Sequence, residues 1–396
     1  MSRIVITGMG VISALGNSVD DHLAALRKTT CGLSSLEFVK TKFADTLRFG
    51  EIKTSTSQLK EKLFVKDKGA TRTDLLALYA LREAINNSGL ADTEISSYDT
   101  ALIGASTVGG MCLTDELYHD SNNISGHGSD YLASYDCAAP VLFLQQRYRI
   151  GGIVNSINTA CSSSSNAIMY GARLIKNGLV KRAVVGGMDS LAKFTINGFN
   201  SLSILAPQFC RPFDKERNGL NLGEGAAFLV LEKEEDVRNK KGYAALSGYG
   251  NANDAFHPSS LSENGEGPYL AMSKALAVAQ LNASEINFIN THGTGTENND
   301  EVEGKAMQRI FTDVPPFISS KSKIGHTLGA AGAIEAVFSI LALNNNEIYP
   351  SLNFREPIES TGLIPVTVFQ KYNIEKVMTN AFGFGGNCTS LIFSKL

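Results

Sequence analysis

The ten residues SINTACSSSS at positions 156–165 place a single cysteine, Cys161, between a strand-like and a helix-like segment. The segment before it is rich in apolar residues, and after it Ile168, Ala172 and Ile175 recur at the spacing of one helical face. The free N–H groups and the positive end of such a helix favour a thiolate, which is the nucleophilic form of cysteine. A buried structural cysteine needs none of these features, so this stretch alone leaves a catalytic and a structural interpretation open.

The composition describes a globular chain without a nucleic-acid signature. Of the 396 residues, 43% are hydrophobic and 19% are charged, and the formal net charge is −3. This length accommodates two ordinary domains or one large two-lobed unit. The negative charge argues against nucleic acid as the main partner. No apolar run reaches the length that spans a bilayer, and the first ten residues favour a strand and a glycine turn over a signal peptide. We therefore expect no membrane insertion.

The six cysteines are widely scattered and form no C-x-x-C pair. In a chain of this size, that pattern predicts neither a disulfide framework nor a zinc site. Reduced thiols in a cytoplasmic protein that binds no metal are the simplest interpretation.

Strand-like and helix-like segments alternate along the chain, which is the pattern of an α/β protein. A similar order recurs in the second part, so we predict two α/β halves, 1–243 and 244–396, although no residue-level repeat relates them. Residues 328–343 are apolar nearly all round and predict a buried helix. The apolar segments expected to complete the sheet are 366–369, 376–380 and 390–393.

Two histidines lie in motifs that need a chemical explanation. His292 ends a strand-like segment in NTHGTGT at 290–296, where it could protrude into a cleft, although an isolated His-Gly is more often an ordinary loop. His326 lies in KSKIGHTLGAAGAIE at 321–335, directly before the predicted buried helix. The positive end of that helix disfavours imidazolium and predicts a neutral ring. Lys321, in the same motif, needs a partner because a charged side chain beside a buried helix is costly.

A glycine-rich segment, NAFGFGGN at 380–387, lies close to the C-terminal end. Closely spaced glycines permit unusual dihedral angles and a close approach of backbone to ligand. A phosphate-binding loop is a poor alternative because the Walker lysine is missing. The chain also lacks G-x-S-x-G, which argues against a serine hydrolase of the usual α/β type.

Taken together, these motifs resemble the β-ketoacyl-acyl carrier protein synthases of the elongating type, which have a Cys-His-His active site. The motifs T-A-C-S-S, H-G-T-x-T, K-S-x-x-G-H-x-x-G-A-A-G and G-F-G-G-N occur in the family's order. The stretch RPFDKERNG at 211–219 and the opening ITGMGV at 6–11 match as well, so the resemblance covers essentially the whole chain. The second histidine distinguishes this type from the initiating synthases, which are similar but use Cys-His-Asn.

The resemblance implies a thiolase-like α/β fold. In this fold two related halves with mixed five-stranded sheets pack in an αβαβα arrangement, usually in a homodimer. The implied reaction is the decarboxylative Claisen condensation of an acyl thioester with malonyl-acyl carrier protein, as in fatty acid biosynthesis. The product is a β-ketoacyl-acyl carrier protein that is two carbons longer. We expect neither a cofactor nor a metal.

The resemblance also implies roles for individual residues. Cys161 attacks the acyl thioester and holds the chain, while its own amide and that of Phe384 form the oxyanion hole. His292 and His326 stabilise the enolate that decarboxylation leaves. Lys321 orders the site together with a nearby carboxylate, for which Glu335 is the matching candidate.

The remaining implied roles concern the acyl chain and its carrier. Val108 and Phe199 are expected to line the acyl pocket, with Phe384 as its gate. The acidic carrier is expected to dock near Lys66, Lys68 and Arg72, for which a merely solvated charge cluster is an equal alternative.

Three features depart from the family's common pattern. Asn387 and Cys388 replace threonine and asparagine, and four serines follow Cys161. The segment 202–211 is short and lacks an arginine that members of the family often offer to the carrier. These departures leave open a specialised ketosynthase of polyene, aryl polyene or polyketide assembly, and a heterodimer with a related subunit. A scaffolding protein without turnover is a rival from another class. The retained cysteine and histidines disfavour a non-condensing chain-length partner, and the lack of a second cysteine in a thiolase motif disfavours a thiolase.

Overall fold

The computed structural model describes residues 3–122, 129, 131–237 and 242–396. The longer strands in this part of the chain are largely buried, as their near-continuous apolar sequences predict. The strands are β1 Ile4–Ser13, β2 Thr100–Ala105, β3 Val154–Ile157, β4 Arg182–Asp189, β5 Gly225–Lys233, β6 Ala244–Asn253, β7 Phe288–Asn290, β8 Phe317–Ile318, β9 Glu347–Ile348, β10 Gln370–Lys371, β11 Lys376–Phe382 and β12 Asn387–Ser394.

The helices of the described residues vary from one turn to almost five turns in length. They are α1 Val19–Arg27, α2 Thr56–Leu63, α3 Arg72–Ser88, α4 Asp92–Ile95, α5 Thr114–Ser121, α6 Ala139–Tyr148, α7 Ser163–Lys176, α8 Lys193–Ser201, α9 Glu266–Ala279, α10 Glu297–Ile310, α11 Lys321–Ile324 and α12 Ala331–Asn345. Short 3-10 turns cover Met111–Leu113, Leu132–Ser134, Glu234–Asp236, Ala283–Glu285 and Leu328–Ala330.

Ten of the twelve strands in the described residues form two sets of five, which join into one sheet through β1 and β6. The order is β3-β2-β4-β5-β1 in the first set and β6-β12-β11-β7-β8 in the second. Both sets are mixed, since β2 pairs parallel with β3 and β4 whereas β5 pairs antiparallel with β4 and β1. The sets join where Ile4, Val5 and Ile6 of β1 pair with Leu246, Ala245 and Ala244 of β6.

The helices occupy three layers around the two strand sets. Helices α3 and α6 cover the outer face of the first set, and α9 and α10 cover the outer face of the second. Helices α7 and α12 lie between the sets and contact each other. This is the predicted αβαβα arrangement. It brings the start of α7 next to segments from the second half of the chain. The predicted division between residues 243 and 244 stays a prediction.

Local sequence signals account for the outer helix α3. Thr71 and Asp74 form a reciprocal capping box at its start, and Gly89 ends it in a left-handed conformation with φ of 63°. The helix also packs directly on β1, because a Cβ atom on Gly10 would lie 2.1 Å from the carbonyl oxygen of Ala80. Only glycine allows this approach.

The buried helix predicted at 328–343 is confirmed. It begins with the 3-10 turn Leu328–Ala330 and continues as α12. Among the described residues, Leu328–Asn345 is the one helical stretch long and apolar enough to cross a membrane, and 89% of it is buried inside the protein. Its apolar character is therefore that of a core helix.

The strand predicted at 366–369 is wrong. Pro365 precedes this segment, and only Val366 makes backbone hydrogen bonds, with Phe317 and Ser351. The strand that follows, β10, is two residues long and belongs to a separate small sheet with β9. A proline supplies no donor for a ladder, so the segment runs on as loop.

Candidate active site

Cys161 lies in a strained turn between β3 and α7. The preceding residue, Ala160, has φ of 53°, in the left-handed region that non-glycine residues seldom adopt. The hydroxyl of Ser163 closes the turn by accepting a hydrogen bond from the amide of Thr159 at 2.9 Å. The turn presents Cys161 at the start of the helix, and only 7% of the residue is exposed.

Burial dominates the electrostatics of the thiol. It raises the pKa of Cys161 to about 11, while the nearby Lys321 charge and hydrogen bonds from the amides of Phe384 and Cys161 act in the opposite direction. The sequence predicted that the helix start would favour a thiolate. The desolvation cost is larger than that effect, so the group is a thiol at neutral pH. The two amides that reach the sulfur are the two predicted for the oxyanion hole.

His292 and His326 face Cys161 from the second half of the chain. Ligating atoms of the three side chains lie within 4.8 Å of one another, and all three residues are buried. The two rings meet edge to face, with centroids 5.4 Å apart. Burial and the Lys321 charge lower the pKa of both histidines well below the usual value, so both rings are neutral.

Hydrogen bonds select the tautomer of each neutral ring. Nδ1 of His326 accepts the amide of Leu328 at 3.2 Å, and Nδ1 of His292 lies 3.3 Å from the ammonium of Lys321, which can only donate. Each ring therefore carries its proton on Nε2. Nε2 of His326 is buried and has no hydrogen-bond partner among the described residues. His326 thus offers a free N–H donor toward a ligand.

Lys321 and Glu335 form a buried pair behind His292. The ammonium lies 2.5 Å from Oε1 of Glu335 and also donates to the carbonyl of His292 at 2.6 Å. Both side chains are about 2% exposed. Burial raises the pKa of Glu335, which Lys321 opposes. Lys321 thereby holds both the backbone and the ring of His292.

Sequence reasoning missed Glu303, which supports His292 from the other side. Its carboxylate accepts the amides of His292 and Gly293, both at 2.9 Å, and the side-chain amide of Asn380 at 3.1 Å. Burial raises its pKa to about 7. The available signal was an acidic residue at a core-facing position of α10, beside the buried Met307.

Asp189 is a second carboxylate that the sequence did not reveal. Asp189 is the last residue of β4 and is fully buried. Its carboxylate accepts hydrogen bonds from the amides of Val108 at 2.9 Å and Gly329 at 2.7 Å. It therefore ties the end of β2 to the turn that follows His326. An aspartate closing an apolar strand was the only signal for it.

The Phe384 loop covers the sulfur and borders a cavity. The cavity has a volume of about 470 Å³ and is lined by Cys161, both histidines, Phe199 and Phe384, among others. The rings of Phe199 and Phe384 stack with centroids 6.0 Å apart, and Phe384 is 37% exposed. Val108 is completely buried in the cluster around Phe199 and does not line this cavity.

The loop approaches the nucleophile through its first glycine. A Cβ atom on Gly383 would lie 2.5 Å from the carbonyl oxygen of Thr159 and 3.2 Å from the amide nitrogen of Cys161. Any side chain at this position would push the Phe384 amide away from the sulfur. The glycine is therefore a requirement of the site.

The Cys161, His292 and His326 cluster also has the composition of a transition-metal site. A metal would need a lone pair on Nε2 of each histidine. The bonds to Leu328 and Lys321 place protons there instead. The tautomers fit a hydrogen-bonding site better than a metal centre.

The predicted carrier-docking residues divide into two groups. Lys66 and Lys68 are exposed. Arg72 is 6% exposed, and its guanidinium donates to both oxygens of Glu224, at 2.9 and 2.6 Å, and to two backbone carbonyls. Arg72 is therefore neutralised inside the protein and cannot meet a partner at the surface, which corrects that part of the prediction.

Comparison with known proteins shows a single family over nearly the whole chain. Residues 1–237 match the model of the β-ketoacyl synthase N-terminal domain, and residues 243–355 match that of the C-terminal domain. A 3-oxoacyl-[acyl-carrier-protein] synthase 2 of Rhizobium meliloti is 33% identical, with 100% of this chain and 99% of the relative covered.

Solved structures agree with this result. The ishigamide ketosynthase/chain length factor superimposes with a TM-score of 0.94 at 28% identity, covering 100% of this chain and 99% of that one. A ketosynthase from Xenorhabdus doucetiae, in complex with its chain length factor, gives 0.86 at 32% identity, covering 100% and 98%. The chain belongs to the β-ketoacyl synthase family, whose members are condensing acyltransferases, and it has the thiolase-like fold that the motifs implied.

Proposed function

We propose that this protein is an elongating β-ketoacyl-acyl carrier protein synthase that joins an acyl group held on Cys161 to malonyl-acyl carrier protein. The observation that carries the proposal is the placement of one sulfur and two neutral histidines within 4.8 Å in a buried site. A sulfur alone would suffice for acyl transfer. The two Nε2–H donors beside it fit a second step in which negative charge develops on a thioester oxygen.

The first step is acyl transfer to the protein. Sγ of Cys161 attacks the thioester carbon of the acyl-carrier, and the amides of Cys161 and Phe384 stabilise the oxyanion. The carrier thiolate leaves and takes up the proton that the Cys161 thiol gives up. The acyl chain remains on the sulfur as a new thioester.

The second step is decarboxylation of the malonyl group. The bond to the carboxylate breaks, carbon dioxide leaves, and the electron pair forms an enolate whose oxygen accepts from His292 and His326. Neutral donors suit this role because they stabilise the enolate without protonating its carbon. The enolate carbon then attacks the acyl group, and Cys161 departs as a thiolate that takes up one proton from the solvent.

The partners belong to the same proposal. The carrier is an acyl carrier protein, and the exposed Lys66 and Lys68 support its docking because such carriers are acidic. Strand β3 lies at the edge of the sheet with one unpaired side and partly exposed residues, which supports a homodimer formed across that edge. A monomer in sedimentation analysis would contradict the dimer. We place the reaction in the cytoplasm and in fatty acid biosynthesis.

A second candidate is a ketosynthase of a specialised polyene, aryl polyene or polyketide pathway that works with a related subunit. It is supported by the similarity to chains in two solved structures that contain a ketosynthase and a chain length factor. The unusual residues Asn387 and Cys388, beside the proposed gate Phe384, also support this candidate. A stable complex with a related, cysteine-free subunit would favour this candidate over a homodimer.

Intact-protein mass spectrometry tests the proposal. The protein is mixed with a panel of acyl-carrier proteins and then with malonyl-carrier, and Cys161→Ala serves as the control. We expect an acyl adduct on Cys161 that is discharged as a β-ketoacyl-carrier product, and the panel ranks chain lengths and conjugated acyl groups. The absence of an adduct from every donor would refute the catalytic assignment.

A further inference from the structure

One side-chain oxygen joins the far end of the Phe384 loop to α7. Asn387 begins β12 directly after the loop, and its Oδ1 accepts three hydrogen bonds. The donors are Nδ2 of Asn166 at 2.8 Å, Nδ2 of Asn251 at 2.9 Å and the hydroxyl of Ser162 at 2.8 Å, whose single proton is shared with the carbonyl of Thr159 at 2.8 Å. Ser162 and Asn166 lie on the N-terminal turn of α7, beside Cys161, so the bonds join the loop directly to the helix of the nucleophile.

The side-chain amide of Asn166 makes further hydrogen bonds that fix its position, and with it the connection between Asn387 and α7. Asn166 donates to Oγ1 of Thr159 at 2.8 Å as well as to Asn387, and it accepts from Asn251 at 3.0 Å and Thr389 at 2.8 Å. All four hydrogen-bonding positions of its amide group are thus used. A fully satisfied buried network specifies one arrangement of the segments that it joins.

Backbone hydrogen bonds connect Asn387 to the loop that carries the Phe384 amide. The amide of Gly383 donates to the carbonyl of Asn387 at 2.8 Å, and the amide of Gly386 donates to the carbonyl of Gly383 at 3.0 Å. The loop is therefore a short turn closed on Asn387 itself. Gly385 and Gly386, both with φ of 83°, cannot hold the turn through side chains. Two further backbone bonds hold the other side of the loop, from the amide of Gly385 to the carbonyl of Pro258 at 2.7 Å and from the amide of Asp254 to the carbonyl of Gly386 at 2.8 Å. Asn387 supplies the connection of the loop to α7, and so to Cys161.

We propose that Asn387 is a positioning residue, whose side-chain oxygen holds the Phe384 loop on α7 and so keeps the Phe384 amide at the sulfur of Cys161. The inference rests on the proposed condensing function and deepens it. Asn387 acts in the steps that use this amide, which are acylation and condensation. It has no part in malonyl decarboxylation, which uses the two histidines.

The main test is Asn387→Leu in the full-length protein. It removes the acceptor and keeps a side chain of similar size, while Asn251 retains Asn166 and Thr389 as acceptors. Losing one oxyanion donor costs about 100-fold to 1,000-fold in rate, so displacing it should slow acylation of Cys161 by about 10-fold to 100-fold. Release of carbon dioxide from malonyl-carrier should stay close to the unmodified rate.

Two further variants separate positioning from general damage. Thr389→Val is the matched control, because it deletes the bonds of Thr389 to Asn166 and Asn251 but leaves the three to Asn387. We expect it to slow acylation clearly less than Asn387→Leu does, because all three bonds to Asn387 remain. Asn387→Asp keeps an acceptor oxygen and should recover most of the acylation rate. If the leucine variant does not fold, Asn387→Ala replaces it, since Asn387 is only half-buried.

Several outcomes would overturn the inference. These are normal acylation in the acceptor-free variant, an equal loss in Thr389→Val, or an equal loss of decarboxylation and acylation. The unmodified protein separates this inference from the function on which it rests. If it forms no adduct at all, the proposed function fails. If it acylates and the acceptor-free variant acylates equally well, only the role of Asn387 fails.

Discussion

His292 and His326 show how single residues acquire their chemistry from different neighbours. One ring is held by the buried Lys321, the other by the amide of Leu328, and both end with the proton on Nε2. Because burial lowers the pKa of both rings, they remain neutral donors over the physiological pH range. The proposed stabilisation of the enolate by these two rings should therefore not change with pH in this range.

His292→Ala should separate the two halves of the reaction. The variant loses one enolate donor, so we expect release of carbon dioxide from malonyl-carrier to fall by about 100-fold or more. Acylation of Cys161 should continue, because the oxyanion hole is made of backbone amides. Radiometric carbon dioxide release and adduct mass give the two readouts.

His22 provides the control for this experiment. It is also a buried histidine, with a pKa lowered to about 4 by burial, but it contacts Ser13 and Ser18 away from the site. His22→Ala should lower stability and leave decarboxylation per folded molecule unchanged. Normal decarboxylation in His292→Ala would contradict the assigned role.

At the scale of elements, α3 shows that a charged residue at a helix start need not face the solvent. Arg72 is the first residue of the helix, and its guanidinium links the helix to Glu224, which also accepts the amides of Ile52 and Leu191. The nearby lysines remain at the surface. The sequence groups Arg72 with Lys66 and Lys68, but Arg72 is a structural residue and only the two lysines remain candidates for carrier docking.

Arg72→Met should destabilise the protein rather than weaken carrier binding. Removing one partner of a buried ion pair costs about 3–5 kcal/mol, because Glu224 is left charged and unpaired. Urea denaturation measures this loss. The double variant Lys66→Glu, Lys68→Glu should unfold at the same urea concentration as the unmodified protein and raise the KM for acyl-carrier. An unchanged KM in the double variant would remove the docking proposal.

At the scale of the whole molecule, one buried charge works against stability. Lys323 lies in α11 with no exposed surface, and its ammonium has no hydrogen-bond partner in the described part of the chain. Burial lowers its pKa from 10.5 to about 8. A shift of this size corresponds to a destabilisation of about 3 kcal/mol when both the folded and the unfolded protein are protonated.

Lys323→Met should therefore stabilise the protein at neutral pH. Between about pH 8 and 10.5 the unfolded state binds more protons than the folded state, so the stability of the unmodified protein rises with pH in this window. The advantage of the methionine variant, about 3 kcal/mol at pH 7, should shrink as the pH approaches 10.5. Urea denaturation at pH 7 and pH 10 measures it.

An exposed lysine supplies the matched control. Lys62→Met, on α2, should change stability by less than about 0.5 kcal/mol at either pH. If Lys323→Met proved no more stabilising than this surface variant, or if its advantage did not depend on pH, the buried ammonium would not carry the proposed cost.

The sequence by itself determined the features that depend on neighbours in the chain. The strand-to-helix turn at Cys161 and the apolar core helix follow from propensity and periodicity. The motifs also identified the family, because their order along the chain is specific. The segment 366–369 marks the limit of this approach, since its apolar residues resemble a strand but lie directly after a proline and outside the sheet.

Only the tertiary structure decided which charges are buried and which groups meet. Arg72 pairs with a glutamate 152 positions away, and the oxygen of Asn387 holds residues more than 200 positions earlier. Burial raises the pKa of Cys161 although the local sequence favours a thiolate. The physical reason is that propensity acts over a few residues, whereas desolvation and hydrogen bonding in a core depend on contacts that the packing of α7 and α12 between the two strand sets creates.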